Sequence, residues 1–241
     1  MTELRYLPDA DDTTVFTATV TEATPEYIVL DGTYFYPEGG GQPPDHGTIT
    51  WDGGRAEIED VRKNHGDVRH LIGSMDGELP DPGTEVEGHI DESRREKLSR
   101  MHTAQHVVSR VVLDEYGATT AGNQIYVNRA RIDFEPANFD DDDVRAIERE
   151  ANAAINRDLT ITKENRPRGE VETEVEEGRA LLDLIPESVD PLRVVEIAGF
   201  DMCPCGGTHV DRLREIGRIR ITDCTSKGED TERIEFVLED D

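Results

Sequence analysis

Two pairs of metal-binding residue types, each with a spacing of four residues, lie far apart in the sequence. His102 and His106 occur in a segment with helical periodicity, and Cys205 and His209 occur in a glycine-containing segment near the end of the chain. On an α-helix, positions i and i+4 share one face, so both imidazoles can point at one ion. Because zinc prefers four nitrogen or sulfur ligands, the two pairs together predict a zinc site closed by distant parts of the chain.

The second pair lies within residues 201–210, where a thiolate, two glycines and an imidazole can form a tight turn. Cys203 is a competing ligand, because a Cys-x-Cys pair can also bind metal. The proline after Cys203 favours an extended backbone at that position, so we expect Cys205 to be the ligand. Four protein ligands are typical of a structural zinc site, whereas catalytic zinc usually keeps one position open, and both interpretations remain at this point.

The helix that should carry the histidine pair is predicted over residues 91–116. Ser93-x-x-Glu96 has the pattern of a capping box, and Gly117 has the place of a C-cap. Apolar residues recur at helical spacing at Leu98, Met101, Val108 and Val112. Since the histidines share the flank of the first two of these, we expect partly buried imidazoles, which fits either metal ligands or hydrogen-bonded core residues.

Short β-like runs, rich in β-branched and aromatic residues and separated by Asp-Gly and Pro-Gly turns, occupy residues 13–90. They predict a small β-barrel or sandwich, which we assign to a domain of residues 1–90. Beyond it, strands alternate with helices without a regular repeat, which indicates an α+β domain over residues 91–241. The predicted fold class is therefore α+β, with a small β-barrel N-terminal domain followed by an α+β zinc-binding domain.

Several elements of the second domain can be predicted individually. The acidic run at residues 140–143 should cap a helix at its positive dipole end and not bind calcium. Residues 170–184 have the composition of a short acidic helix that ends before Pro186. Strands are predicted at residues 130–134, 159–162, 192–197, 216–221 and 233–238.

A glycine-rich segment interrupts the β-like region at residues 36–45. Gly39, Gly40 and Gly41 are consecutive, which is too costly in conformational entropy for the interior of a strand. The backbone either makes a tight turn here or is approached closely by a ligand. The segment lacks the Lys-Ser/Thr ending of a P-loop, so glycine content alone is weak evidence for phosphate binding.

Composition restricts the class of protein. Of the 241 residues, 54 are Asp or Glu and 26 are Lys or Arg, giving a net charge of -28 spread along the whole length. This charge ordinarily argues against a nucleic-acid partner. An even distribution of acidic residues also fits a protein that works in concentrated salt, so we expect a halophilic source. Three cysteines, no signal sequence and no long apolar run predict a cytoplasmic protein with no membrane span.

Four segments in a fixed order resemble one known family. They are residues 102–106 with the sequence His-Thr-Ala-Gln-His, the Cys-Gly-Gly-Thr-His-Val segment from Cys205, the glycine loop ending in Gln42, and the tail segments 215–217 and 226–228. They resemble the editing domain of alanyl-tRNA synthetase and its free-standing relatives, the alanyl-tRNA editing proteins of the AlaX type. The resemblance runs over nearly the whole chain and fits the medium-length type, without a synthetase aminoacylation domain.

The resemblance implies a function and a set of site residues. Proteins of this family hydrolyse alanine tRNA mischarged with serine or glycine, and the second domain would be the editing domain. Zinc would be held by His102, His106, Cys205 and His209 near the ester-bearing end of the tRNA. The amides of Gly39, Gly40 and Gly41 are candidate oxyanion or phosphate donors, Gln42 and Thr103 are candidates for positioning water, and Gln105 flanks the ligands.

A tRNA partner at this net charge requires a local basic region, and the sequence around the ligand helix supplies one. We expect phosphate contacts from Arg94, Arg95 and Arg100, with further basic residues nearby at Lys97, Arg110, Arg129 and Arg131. The alternative is ordinary solvation of the helix, with Glu92 and Glu96 as partners.

Two other functions fit the same motifs. Threonyl-tRNA synthetases carry a similar pattern of zinc ligands, so an editing domain acting on threonine tRNA is one alternative. A zinc-stabilised RNA-binding module without hydrolytic activity is another. The glycine loop with Gln42 favours the alanine type, because a zinc clasp alone has no need of it.

Overall fold

Alternation of apolar and polar residues in the first part of the chain builds a closed β-barrel. The strands of this region are β1 Glu3–Leu4, β2 Val15–Ala23, β3 Tyr27–Leu30, β4 Gly32–Thr33, β5 Gly47–Trp51, β6 Gly54–Asn64, β7 Asp67–Gly77 and β8 Glu85–Ile90. In β2, for example, Phe16, Ala18 and Val20 face the core, while the residues between them are more exposed. Six strands close the barrel in the order β2-β3-β7-β6-β5-β8, and every neighbouring pair is antiparallel.

The barrel core contains one histidine, His70, whose side chain is fully buried. Its Nδ1 lies 3.0 Å from the Ile28 carbonyl oxygen, which can only accept, so Nδ1 carries the ring proton. Its Nε2 therefore accepts from the Thr33 hydroxyl at 2.8 Å. Burial lowers the pKa of His70 to about 4, so the ring is neutral in the folded protein and satisfied at both nitrogens.

Helix α1, Glu92–Tyr116, carries the predicted histidine pair. The Asp91 carboxylate accepts the N–H of Arg94 at 3.0 Å, so Asp91 caps the first turn and not Ser93 as the capping-box pattern predicted. At the other end, Gly117 has φ of +65° and its N–H binds the Leu113 carbonyl, as expected for a C-cap glycine. Residues 101–109 are buried without interruption, which makes the middle of α1 a core helix.

The remaining elements form two antiparallel sheets with helices. The elements are β9 Thr119–Ile125, β10 Ala130–Glu135, α2 Asp141–Asn156, β11 Ile161–Arg166, α3 Arg168–Glu174, β12 Leu192–Ile197, β13 Asp201–Pro204, β14 Arg218–Ser226 and β15 Glu232–Glu239. One sheet has the order β14-β15-β10-β9 and the other the order β11-β12-β13. The larger core cluster includes Leu98, Met101, Val108 and Phe236, and a smaller cluster contains Val171, Leu192 and Val194.

The computed structural model describes residues 1–180 and 185–240, and the chain divides into two compact units, Met1–Glu96 and Lys97–Asp241. The mixed α+β class is confirmed, with a six-stranded barrel and helices α1, α2 and α3 among the described residues. No helix in these ranges is long and apolar enough to cross a membrane.

Two helix predictions have different outcomes. The acidic run caps α2 as expected, because the Asp140 carboxylate accepts the N–H groups of Asp142 and Asp143. The helix predicted over residues 170–184 is shorter. It occupies Arg168–Glu174 and ends where Val175 takes an extended conformation, and the last four predicted positions, residues 181–184, lie outside the described residues.

Candidate metal centre

Helix α1 presents both histidines of the first pair on one side. His102 and His106 are only 3% and 4% exposed, and their ring centroids are 5.2 Å apart. The spacing of four residues places one ring above the other along the helix. Two imidazoles in this position bring polar nitrogens into a buried region, where each nitrogen needs a hydrogen-bond partner or a metal ion.

A loop after β13 brings the second pair to the same place. Strand β12 pairs with β13, and the Cys205 N–H continues this pairing by donating to the Arg193 carbonyl at 3.1 Å. The Arg193 guanidinium then donates to the carbonyl oxygens of Cys205 and Gly207, each at 2.8 Å. Arg193 is buried and holds the backbone of the turn between Cys205 and His209 in place.

The four residues converge on one point. The potential ligand atoms of His102, His106, Cys205 and His209 all lie within 4.8 Å of one another. The Cys205 sulfur is 3.6 Å from His102 Nε2 and 3.3 Å from His209 Nε2. Zinc bonds of about 2.3 Å to sulfur and about 2.0 Å to nitrogen in a tetrahedron put these atoms roughly 3.5 Å apart, so the arrangement fits a four-ligand zinc site.

Thr103 determines which nitrogen of His209 faces the cluster. The Thr103 hydroxyl donates its hydrogen to the Ser99 carbonyl at 2.8 Å, so it must accept from His209 Nδ1 at 3.2 Å. It also accepts the N–H of Val210 at 3.3 Å. His209 Nε2 is then without a proton and directed at Cys205, which is the form of the ring that binds a metal.

This hydrogen-bond pattern argues against the expected role of Thr103 in positioning water. Its side chain is fully buried, its hydrogen is donated within the helix, and both lone pairs face N–H groups of the chain. Gln105 is also buried, and its amide donates to the Ser109 hydroxyl one turn further along the helix at 3.0 Å.

The pKa values of His209 and Cys205 are both shifted in the direction that suits a metal. Burial and the nearby charges of His102 and His106 hold the pKa of His209 well below its usual range, so that ring is neutral near pH 7. Burial alone would raise the pKa of Cys205, but a hydrogen bond and charge from His106 and the Gly207 N–H lower it overall. A thiolate and neutral imidazoles are the forms in which these side chains bind zinc.

Cys203 lies outside the cluster. Its side chain is buried, and burial raises the pKa of its thiol to about 12. A thiol that stays protonated is a poor ligand, because metals bind the thiolate. Among the described residues, the group that could hold a metal includes Cys205 and not Cys203.

The glycine loop belongs to the first unit and forms a tight turn. Gly39 and Gln42 pair through both backbone N–H groups, and the two residues between them, Gly40 and Gly41, have φ of +57° and +78°. Positive φ at both central positions explains why glycine occupies them. The glycines are at least partly exposed, whereas Gln42 at the end of the turn is only 1% exposed.

The three arginines expected to contact phosphate have different environments. Arg95 is 3% exposed and forms an ion pair with the fully buried Asp45 in the first unit, with further hydrogen bonds to backbone carbonyl oxygens of Asp11 and Tyr34. This burial argues against a phosphate contact from Arg95. Arg94 is half-buried and donates to the Pro44 carbonyl. Arg100 is 17% exposed and pairs with Asp240 and the Ile216 carbonyl.

Sequence reasoning missed the buried charged residues around the centre. Arg193 holds the Cys205 turn, Lys163 donates to Asp211 at 2.8 Å beside the His209 backbone, and Arg179 pairs with Asp201 next to His106. Two of these residues have a position in the sequence that could have drawn attention to them. Arg193 is a charged residue within the apolar run of β12, and Asp201 lies four residues before Cys205. A charged side chain in a buried strand requires an opposite charge or hydrogen-bond acceptors nearby, so it indicates a buried polar site.

Two segments of the chain match known family models. Residues 9–94 match the family described as tRNA synthetases class II (A). Residues 192–235, which include Cys205 and His209, match the family described as threonyl and alanyl tRNA synthetase second additional domain. The second model therefore covers half of the ligand set.

Individual relatives extend the similarity over the whole chain. The protein is 37% identical over 246 residues to alanyl-tRNA editing protein AlaX-M of Methanosarcina acetivorans, with 100% of both chains covered. It is 34% identical to AlaX-L of Pyrococcus horikoshii over 87% of this chain and 50% of that one. It is 41% identical to the alanine–tRNA ligase of Methanopyrus kandleri over 88% of this chain, which spans only 23% of that enzyme. At this identity and full-length coverage, the chain belongs to the AlaX family of alanyl-tRNA editing proteins.

Proposed function

We propose that this protein is a trans-editing hydrolase that deacylates alanine tRNA mischarged with serine, and with glycine as a second substrate. The observation that carries the proposal is the convergence of His102, His106, Cys205 and His209 in a chain that aligns over its full length with AlaX-M proteins. A cluster of this chemistry is more than a core requires, because three imidazoles and a thiolate bring polar atoms into a buried region.

The same four residues would hold zinc. When bound, zinc would supply a positive charge that can orient the substrate or lower the pKa of a water molecule. His102 and His209 would contribute Nε2, which faces the Cys205 sulfur in each case. With four protein ligands, the site also fits a role in which the ion organises the pocket around the substrate.

Hydrolysis of an aminoacyl ester requires attack of water on the carbonyl carbon and donors for the charge that develops on oxygen. We propose the turn of Gly39, Gly40 and Gly41 as a donor of backbone N–H groups and Gln42 as a candidate for positioning the water. Gln105 stays a candidate for the substrate-binding wall. For Thr103 we propose a role through His209, because its hydroxyl is occupied by Ser99, His209 and Val210.

The setting of the proposed activity also follows from the sequence. We assign the editing role to the second predicted domain, residues 91–241, and the barrel domain to residues 1–90. Arg94 and Arg100 remain proposed phosphate contacts for the tRNA. A salt-adapted source is proposed from the acidic composition, with 54 Asp and Glu against 26 Lys and Arg. A cytoplasmic location is proposed from the three cysteines, whose odd number and clustering suit a reduced compartment.

An alternative substrate has one specific observation in its favour. The family model over residues 192–235 is described for threonyl as well as alanyl synthetases, so a threonine tRNA must be tested beside an alanine tRNA. The AlaX-M relatives favour alanine, since their names specify alanyl-tRNA.

One assay distinguishes these functions. The protein is incubated with seryl-, glycyl- and alanyl-tRNA of the alanine type and with seryl-tRNA of the threonine type, each with and without a zinc chelator. We expect release of serine and glycine from the alanine tRNA, little release of alanine, and loss of release with chelator. Release only from threonine tRNA would assign the protein to the other substrate, and no release from any tRNA would leave a zinc-stabilised RNA-binding module.

A further inference from the structure

A buried ion pair lies against one of the four candidate ligands. Arg179 and Asp201 have side chains that are 5% and 0% exposed. The contact is bidentate, with Arg179 Nε donating to Asp201 Oδ1 and Arg179 Nη2 donating to Asp201 Oδ2, each at 2.5 Å. Both Asp201 oxygens accept from the Arg179 guanidinium, which is the fork-to-fork arrangement expected for a carboxylate paired with arginine.

The outer nitrogen of His106 faces this ion pair. His106 Nδ1 is 3.3 Å from Arg179 Nη2 and 3.7 Å from Asp201 Oδ2. The other ring nitrogen, Nε2, is therefore the atom that His106 can offer to the cluster with His102, Cys205 and His209.

The position of the ring proton decides which neighbour His106 uses. A histidine that binds a metal through Nε2 carries its proton on Nδ1, and that proton requires an acceptor. Arg179 has only donors, so Asp201 Oδ2 is the acceptor within reach of a small ring movement. In the other tautomer, Nδ1 accepts from Arg179 Nη2 and Nε2 carries the proton, which blocks that atom as a ligand.

We infer that Arg179 and Asp201 are positioning residues for His106, in which Asp201 accepts the Nδ1 proton and Arg179 holds and neutralises the carboxylate. The inference rests on the proposed metal centre and adds two residues to it. The pair completes a pattern also present at His209, whose Nδ1 donates to Thr103. Stability alone is a weak reason for the pair, because the cost of desolvating two buried charges usually cancels their attraction.

The first test compares two buried carboxylates with the same partner chemistry. Asp201→Asn removes the charged acceptor beside His106, and Asp45→Asn is the matched control, because Asp45 is also fully buried and paired with an arginine, Arg95. Zinc affinity is measured by competition with a chromophoric chelator, without tRNA. We expect Asp201→Asn to weaken zinc binding by about 10- to 100-fold and Asp45→Asn to leave it within about 3-fold of wild type. Equal zinc affinity in wild type and Asp201→Asn would overturn the inference.

The second test separates positioning from a structural role. In the double variant Arg179→Met, Asp201→Leu, apolar side chains replace both charges, so the metal-free protein should keep its thermal unfolding temperature within a few degrees. Its zinc affinity should still fall by about 10-fold or more, because no acceptor remains for the His106 proton. Normal zinc affinity in the folded double variant, even with a much lower unfolding temperature, would show that the pair is structural and would contradict positioning.

The third readout does not depend on any variant. In the zinc-bound wild-type protein, long-range proton–nitrogen correlation spectra should show His106 with a protonated Nδ1 and a metal-bound Nε2. A metal-bound Nδ1 would overturn the inference while leaving the deacylase proposal intact. A wild-type protein that binds no zinc at all would instead overturn the metal centre itself, so the two failures are distinguishable.

Discussion

His70 in the barrel unit and His209 in the second unit are both buried histidines, but their ring nitrogens have different neighbours. His70 uses Nδ1 on the Ile28 carbonyl and Nε2 on the Thr33 hydroxyl, so the protein satisfies the whole ring. His209 uses Nδ1 on Thr103, while its Nε2 faces the Cys205 sulfur at 3.3 Å. Burial is the same in the two cases, and the direction of the second nitrogen differs.

This difference separates a core histidine from a candidate ligand. A core histidine needs one donor and one acceptor from its surroundings, and His70 has both. A ligand histidine needs a partner on one side only, because the metal occupies the other. His209 follows this second pattern, with Thr103 behind the ring and the cluster in front of it, and His106 has the Arg179–Asp201 ion pair behind its ring.

The largest expected effect comes from removing a ligand of the second unit. Cys205→Ser should weaken zinc binding by more than about 100-fold, because it removes the thiolate itself and not an outer partner. Cys203→Ser is the matched control, since Cys203 lies one residue before Pro204 and outside the cluster. Bound zinc per chain and seryl-tRNA deacylation are measured on both. Loss of zinc only in Cys203→Ser would reverse the ligand assignment.

The barrel unit should respond to pH through His70. Its pKa is about 4 when folded and 6.5 in the reference state, so the unfolded chain binds a proton that the folded chain excludes. The stability from this group is fully present above pH 6.5 and is lost as pH falls towards 4, with a total of about 3 kcal/mol.

The measurement for His70 is the free energy of unfolding from pH 7 to pH 4, taken as the difference between wild type and His70→Gln. Other acid-titrating groups largely cancel in this difference, because both proteins share them. Wild type should lose about 3 kcal/mol relative to the variant over this range. A difference that does not change with pH would show that the His70 ring is accessible to protons in the folded protein.

A smaller effect is expected from the partner of His209. Thr103→Val keeps the shape of the side chain but removes the oxygen that accepts the Nδ1 proton, so zinc binding should weaken about 10-fold. Thr103→Ser keeps the hydroxyl and should bind zinc within about 3-fold of wild type. Equal affinity in the valine and serine variants would show that the Thr103 hydroxyl does not orient His209.

The smallest effect concerns tRNA binding. Arg100→Ala removes one proposed phosphate contact, so the slope of log affinity against log salt should fall by about 1 unit. Arg145→Ala is the control, because Arg145 is exposed on α2 and pairs with Asp142 in the first helical turn. The slope is measured with uncharged alanine tRNA. An equal change in both variants would argue against a specific contact from Arg100.

Sequence alone predicted the parts of the centre that have a period or a motif. The four-residue spacing of His102 and His106 identified one face of α1, and Gly117 marked the end of that helix. Their convergence with Cys205 and His209 followed from the chemistry of zinc, because no single pair has enough ligands.

The remaining partners have no such signal. Arg179, Arg193 and Asp201 reach the centre from separate segments, and nothing in their spacing shows which histidine or carbonyl they contact. The burial of Arg95 was also not predictable, because its partner Asp45 lies fifty positions away in a loop. Long-range pairing of charges depends on the packed fold, whereas a helical face depends only on the local sequence.

The central claim is that His102, His106, Cys205 and His209 hold one zinc ion that the deacylase requires. The most direct test is to remove metal from the protein, add zinc stepwise, and measure bound zinc and seryl-tRNA deacylation in the same samples. We expect deacylation to rise in proportion to bound zinc, to level off at one ion per chain, and to stay near zero for Cys205→Ser. Full deacylation by protein shown to contain no metal would contradict the claim.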